Sequence, residues 1–215
     1  MVMSVNSTNI EYFIKKRLKE FEQLGKIKYT IFDFSPFLDL KLKANLKTEL
    51  AFCISTANSS AISGLKFQKI LENYDLSKIS VGELESLLRR AGVRFHAKKA
   101  KYIKSVFENF DIVKEALNIE KSEVAREYLV KNIKGLGYKE ASHFLRNVGR
   151  KDVAIIDRHI LRWLYENNLI NYPTITPSRY KKIEKILMNI ASEQNKSLAE
   201  LDLYLWYFKT GKILK

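Results

Sequence analysis

The chain has 215 residues, 46% of them hydrophobic, which is enough to bury a substantial core and excludes a disordered polyelectrolyte. Lysine and arginine number 38 against 24 acidic residues, giving +14 and a pI near 9.7, so the surface attracts polyanions and nucleic acid is the leading partner; a thermophile-like surface rich in Lys and Glu has the same balance, and charge alone does not separate the two. The single cysteine, Cys53 in the run LAFCI, excludes an intramolecular disulfide and a cysteine-rich metal site, and no stretch reaches the ~20 apolar residues that span a bilayer.

The N-terminal MVMSVNSTNIEY lacks a basic segment followed by an apolar one, so a cytoplasmic protein without membrane attachment is expected. Phe13, Ile14, Leu18 and Phe21 recur at helical spacing and predict a first helix of about four turns, closed by Gly25. YTIFDFSPFLDL alternates like a strand, but Pro36 interrupts it, and an extended connector is expected rather than a sheet. Further helices are predicted over 46–55, 61–71, 97–110, 122–133, 139–148, 158–167 and 178–192. SVGELESLLRRAG adds a capping box, with Ser80 three before Glu83 and Gly92 as the stop, and SLAELDLYLWYFKTG repeats the device with Ser197, Glu200 and Gly211. NYPTITPSRY, with two prolines, reads as a loop before the last two helices. The pattern as a whole predicts an all-α fold, two helical lobes packed as one unit over residues 1–215.

In KNIKGLGYKEASHF a helix ending near Ile133 meets another beginning near Tyr138, a helix-hairpin-helix pattern over about 122–149. Gly135 and Gly137 permit positive φ and close backbone approach, and the first N–H groups of the second helix point outward toward an anion such as a DNA phosphate. The plainer reading of the same residues is an ordinary helix connection capped by glycine.

Lys139 falls in the first turn of that second helix, where the positive end of the macrodipole disfavours a cation. The same field, with partial burial, favours the neutral amine that Schiff-base chemistry uses; taken alone, Lys139 reads first as a solvated lysine reaching for phosphate, and Asp157 changes the balance. The apolar run VAII then leads to Asp157 before RHILRWL, 18 positions after Lys139, in the place of a helix N-cap. A capping carboxylate at a helix mouth can also face an electron-poor sugar carbon as an oxocarbenium-like transition state develops, and the two roles are compatible.

With GLGYKEASHFLRNVG and DVAIIDRHIL, the segments ISTANSS, VRFHAKKAKYI and LDLYLWYFKTGKILK complete a resemblance to the HhH-GPD superfamily of DNA glycosylases, and within it to the type 2 8-oxoguanine DNA glycosylase/AP lyases of archaea and some bacteria. It covers the chain from about Leu46 onward. The resemblance implies that Lys139 attacks C1′ of the damaged nucleotide, that Asp157 activates it and stabilises the sugar cation, and that a Schiff base followed by β-elimination makes the enzyme bifunctional. It implies Phe95 and Trp206 as the pair sandwiching the extruded base, although Trp206 inside LYLWYF also reads as a core aromatic. It implies Lys215 as the determinant separating 8-oxoguanine from guanine, and Asn58 in a polar loop filling the gap in the duplex, for which a turn or N-cap role is equally open.

No metal or cofactor is called for: one cysteine cannot ligate the four-cysteine iron–sulfur cluster of some superfamily members, and His96, His143 and His159 lack zinc-like spacing. The implied partner is double-stranded DNA containing 8-oxoguanine or abasic sites, with a monomeric, nucleoid-associated protein in the cytoplasm. Two rivals remain, a glycosylase of other base specificity on the same scaffold and a noncatalytic hairpin module. A module needs the glycines and the basic face but neither Lys139 nor Asp157.

Overall fold

The computed structural model of the chain describes residues 7–171 and 175–215, and of residues 7 and 8 the backbone only. The first helix, α1 (Ser7–Ile27), runs through Gly25 instead of stopping there. A Cβ at Gly25 would lie 2.0 Å from the carbonyl oxygen of Val148, at the end of the helix Tyr138–Asn147. The glycine is therefore needed where two backbones touch, a requirement that leaves the same mark in a sequence as a helix stop.

Tyr29–Leu40 is not the extended connector its proline suggests. Strands β1 (Tyr29–Asp33) and β2 (Lys41–Asn45) pair antiparallel, from Tyr29 opposite Asn45 to Asp33 opposite Lys41. Thr30, Phe32, Leu42 and Ala44 point inward while Lys41 and Lys43 point out, the alternation of a half-buried hairpin. Pro36 lies in the loop between the strands, where it removes no ladder hydrogen bond.

The remaining helices are α2 (Leu46–Thr56), α3 (Ala61–Leu71), α4 (Val81–Arg90), α5 (His96–Glu108), α6 (Asp111–Asn118), α7 (Ser122–Asn132), α8 (Tyr138–Asn147), α9 (Arg158–Glu166), α10 (Pro177–Glu193) and α11 (Leu198–Thr210). Ser80 and Glu83 form the expected reciprocal box, and the Ser197 hydroxyl accepts from the Glu200 amide while Gly211 takes the left-handed C-cap at φ 68. Helix α6, absent from the reading of the sequence, has eight residues and buries only Val113 and Ala116, too few to announce a period. The predicted loop around NYPTITPSRY falls partly on 172–174, outside the described residues; Thr176 beyond it caps α10.

Buried side chains form two clusters. The larger draws on α1, the hairpin and α2 to α8; the smaller comprises Ala154, Ile156 and residues of α9, α10 and the start of α11. Helix α11 serves both, with Leu198 and Leu201 in the second and Leu203, followed by Ile213 and Leu214 of the tail, in the first. Between the clusters Arg126 of α7 grips Glu184 of α10 in a bidentate pair, Nη1 to Oε1 at 2.5 Å and Nη2 to Oε2 at 2.7 Å. Glu184 Oε1 also accepts the Ala154 amide, and the Tyr180 hydroxyl donates to the Ala154 carbonyl and accepts the Ile156 amide. The pair thus fixes the strap VAII that delivers Asp157.

Arg126→Met should leave a buried carboxylate unpaired, at a cost of about 3–5 kcal/mol. At about 2–4 °C per kcal/mol for a chain of this size, Tm should fall by roughly 6–20 °C, read by circular dichroism. A shift under about 2 °C would show that the pair contributes nothing to holding the clusters together.

Candidate active site

A cleft of about 1090 Å³ opens between the end of α2, the start of α8, the mouth of α9 and the exposed side of α11. Its wall carries Lys139, Asp157, Asp202, Trp206 and Lys215, with Arg94, Arg158, Arg162, Lys196 and Lys209 among its cations, so it is concave and strongly basic.

At the hairpin, α7 ends at Asn132 and α8 begins at Tyr138. Gly135 takes φ +86, and a Cβ there would meet the Tyr102 ring at 2.2 Å, so the turn requires glycine on two counts. Gly137 differs from expectation: as N-cap of α8 it has ordinary extended angles, φ −88 and ψ −178, and its contribution is the absence of a capping side chain, which leaves the first amides of α8 open to an anion. Lys139 follows at once, its side chain 24% exposed, with Nζ 4.0 Å from Glu140 Oε1.

Asp157 is the N-cap of α9, and both cap hydrogen bonds, from the His159 amide at 2.8 Å and the Ile160 amide at 2.9 Å, end on Oδ1. One oxygen therefore holds the helix, and Oδ2 is left outside the cap on a residue that lines the cleft.

Two further groups line the cleft with this pair: Asp202, which the sequence did not single out, and His143, which the sequence weighed only as a metal ligand. Asp202 on α11 keeps 18% of its side chain exposed and lies 3.3 Å from Arg146 Nη1. Burial raises its carboxyl pKa to about 6 against the pull of Arg146, with the Asp157 charge pushing the same way and Lys139 opposing, so Asp202 is within electrostatic reach of both candidate catalytic residues. His143, one helical turn beyond Lys139, is buried edge-on to Phe52 with the main chain of Lys215 beside it. Burial and the cations Arg146, Lys139 and Lys215 hold it well below its usual pKa, in the neutral form. The i, i+4 spacing from Lys139 was the available signal for His143, and the i, i+4 spacing from Trp206 for Asp202.

Trp206 lines the cleft, half-buried, with His159 edge-on at 6.5 Å and no hydrogen-bond partner for its indole nitrogen among the described residues. Phe95 does not join it. It is 59% exposed, is not among the lining residues, and takes a left-handed backbone, φ 56 and ψ 36, that is costly for a bulky side chain; its neighbour Arg94 reaches the cleft instead. Asn58 lines the cleft from the turn after α2, with φ 53, a conformation asparagine tolerates; capping of α3 falls to Ser60. At the terminus, the Lys215 ammonium is turned away from the cleft into the protein, where it binds Glu49 and Gln68.

A hairpin whose second helix carries a lysine in its first turn, on the wall of one basic cleft with a capping aspartate, defines a helix-hairpin-helix DNA glycosylase. Residues 14–196 match the family described as Ogg-HhH, 8-oxoguanine DNA glycosylase. The chain is 47% identical over 213 residues to the 8-oxoguanine DNA glycosylase/AP lyase of Aquifex aeolicus, covering 96% of this chain and 94% of that one, and 46% identical over 220 residues to that of Methanocaldococcus jannaschii, covering 100% and 97%. The crystal structure of the M. jannaschii enzyme in complex with a 15mer DNA containing 8-oxoguanine superposes with a TM-score of 0.82 at 44% identity, covering 98% of this chain and 95% of that one. The chain belongs to the 8-oxoguanine DNA glycosylase family.

Proposed function

We propose that this protein excises 8-oxoguanine from double-stranded DNA and then cleaves the strand at the resulting abasic site, with Lys139 as nucleophile and Asp157 as its electrostatic partner. The single observation that supports this most is that Lys139 and Asp157 line one cleft with Trp206, at a hairpin suited to a phosphate. The two packed clusters act in this reading as one catalytic unit. The base enters extruded from the stack, and recovery of the unstacking cost falls to aromatic contact and hydrogen bonds inside the cleft. Trp206 supplies one face, and Phe95, which lies outside the cleft in the free protein, closes the other once DNA is bound.

As the N-glycosidic bond lengthens, positive charge spreads over C1′ and O4′, and the Asp157 carboxylate stabilises it. The Lys139 amine forms a bond to C1′, and the base departs with the bonding electron pair and takes up a proton. Opening of the sugar gives a protonated Schiff base, whose withdrawal of electrons acidifies C2′–H; loss of that proton expels the 3′ phosphate by β-elimination, and water then releases the lysine. Gly135, Gly137 and Asn58 serve the DNA backbone and the gap left in the duplex. Lys215, which borders the cleft with its main chain, separates 8-oxoguanine from guanine, because 8-oxoguanine carries a proton on N7 where guanine presents a lone pair. The protein works as a monomer on chromosomal DNA in the cytoplasm, acting on abasic sites as well as on the oxidised base.

Incubation with a duplex carrying one 8-oxoguanine, with and without borohydride, tests the reading. Nicked product without borohydride and a covalent protein–DNA adduct with it are expected. An intact duplex and no adduct would overturn it.

A further inference from the structure

The turn after α2 and the segment before α5 border the cleft through Asn58, Ser59 and Arg94, and they are fastened to each other: Ser59 Oγ accepts the Arg94 amide at 2.9 Å. Lys99, buried in the first turn of α5, spans both. Its amide donates to the Phe95 carbonyl at 3.0 Å, and its ammonium crosses to the end of α2, 2.8 Å from the Ser55 carbonyl, 2.6 Å from the Ala57 carbonyl and 3.1 Å from Ser59 Oγ. An ammonium has three N–H groups, and these contacts occupy all of them. The neutral amine would turn a lone pair toward one of the three oxygens, so the arrangement calls for the charged form. That charge is met by carbonyls at the negative end of α2, whose C-cap is Ala57 and not a glycine, so Lys99 closes the helix from outside it.

From this geometry we infer that Lys99 is a positioning residue for extrusion of the base: through Ser59 it holds the turn that carries Asn58 and the segment that carries Arg94 and Phe95 as one unit at the mouth of the cleft. This rests on the reading of Asn58 as the residue that fills the gap and of Phe95 as the second face of the base. The two tasks belong to one event, because the gap opens only as the base leaves the stack. Asn58 and Phe95 are both exposed and both take left-handed backbones, at φ 53 and 56, so their placement depends on the main chain beside them. Lys99 and Ser59 make those main-chain contacts. Two separate loops would each have to be ordered on the DNA at an entropic cost, and fastening them in advance removes part of it. Lys99 itself does not line the cleft, so it acts through the residues it holds and not on the substrate.

The test compares wild type, Lys99→Met, Ser59→Ala and Asn58→Ala, all assayed well below Tm. Single-turnover excision is measured on 8-oxoguanine paired with cytosine and on 8-oxoguanine opposite a tetrahydrofuran abasic analogue, where no pairing is lost on extrusion, beside nicking of a preformed abasic site. Lys99→Met leaves the α2 carbonyls without their donor, and excision opposite cytosine should fall about tenfold to a hundredfold, with excision opposite tetrahydrofuran and nicking within about threefold of wild type. Ser59→Ala removes one hydroxyl, and excision opposite cytosine should fall about threefold to tenfold with the same selectivity. Where Lys99→Met does not fold, Ser59→Ala decides between the same outcomes. Excision opposite cytosine at the wild-type rate by Lys99→Met and Ser59→Ala, or an equal fall on all three substrates, overturns the inference. Wild-type excision by Asn58→Ala overturns the reading of the gap-filling residue and the clamp with it; loss by Asn58→Ala, with Lys99→Met and Ser59→Ala unaffected, overturns the clamp only.

Discussion

Lys139→Gln should abolish borohydride trapping and lower strand nicking by about 10³-fold or more, while binding to a duplex stays within a few fold of wild type. Glutamine keeps most of the length of the side chain and removes the one nucleophile able to form an iminium, so the covalent route closes without opening a hole in the cleft. Stability should hardly change. Lys139 is partly exposed and its nearest ionic neighbour, Glu140 at 4.0 Å, is not left in a closed cavity. Affinity for DNA rests on many phosphate contacts, of which the cleft alone offers cations from Arg94 to Lys209, so the loss of one charge is diluted. Fluorescence anisotropy with a labelled duplex reads binding, and denaturing electrophoresis reads nicking and trapping. Trapped complex at the wild-type level would show that another amine does the chemistry.

The residues proposed to carry the chemistry were legible because each is tied to a local backbone requirement. Gly135 needs a positive φ, Asp157 caps a helix, and Lys139 follows a helix start, and all three requirements are written within a few positions of the residue concerned. Helix boundaries were legible for the same reason, from Ser80 with Glu83 and from Ser197 with Gly211.

What escaped depends on partners far along the chain. The strand KLKAN looks like a charged linker until Tyr29–Asp33 is laid beside it, and Gly25 looks like a stop until Val148 is brought against it. Asp202 is placed beside the cleft by its ion pair with Arg146, a contact between α8 and α11 that no periodicity encodes, whereas His143 shares α8 with Arg146 and only its burial was hidden. The terminal lysine is the sharpest case. Its ammonium looks available to a ligand in the sequence, and only the cage of Glu49 and Gln68, on helices more than a hundred positions earlier, shows that it is spent inside the fold.

Asp157→Asn separates the two roles of the carboxylate. The amide oxygen of asparagine can still accept the His159 and Ile160 amides, and asparagine caps helices about as well as aspartate, so the start of α9 should persist and Tm should move by no more than about 2–4 °C, the equivalent of 1 kcal/mol. What disappears is the charge that the proposed mechanism sets against C1′. Removal of one preorganised electrostatic partner typically costs about 10²–10³ in rate, and single-turnover excision of 8-oxoguanine should fall by that amount. Nicking of a preformed abasic site should fall much less, because the aldehyde condenses with Lys139 without any base having to be expelled and the cationic transition state at C1′ is bypassed. Asp157→Ala serves as the contrast: it removes charge and cap together and should lose about 1 kcal/mol of stability beyond the asparagine variant. Excision by Asp157→Asn at the wild-type rate would leave Asp157 as a helix cap and nothing more, and an equal fall in excision and nicking would place its action at the Schiff base, after the departure of the base, instead of at the sugar cation before it.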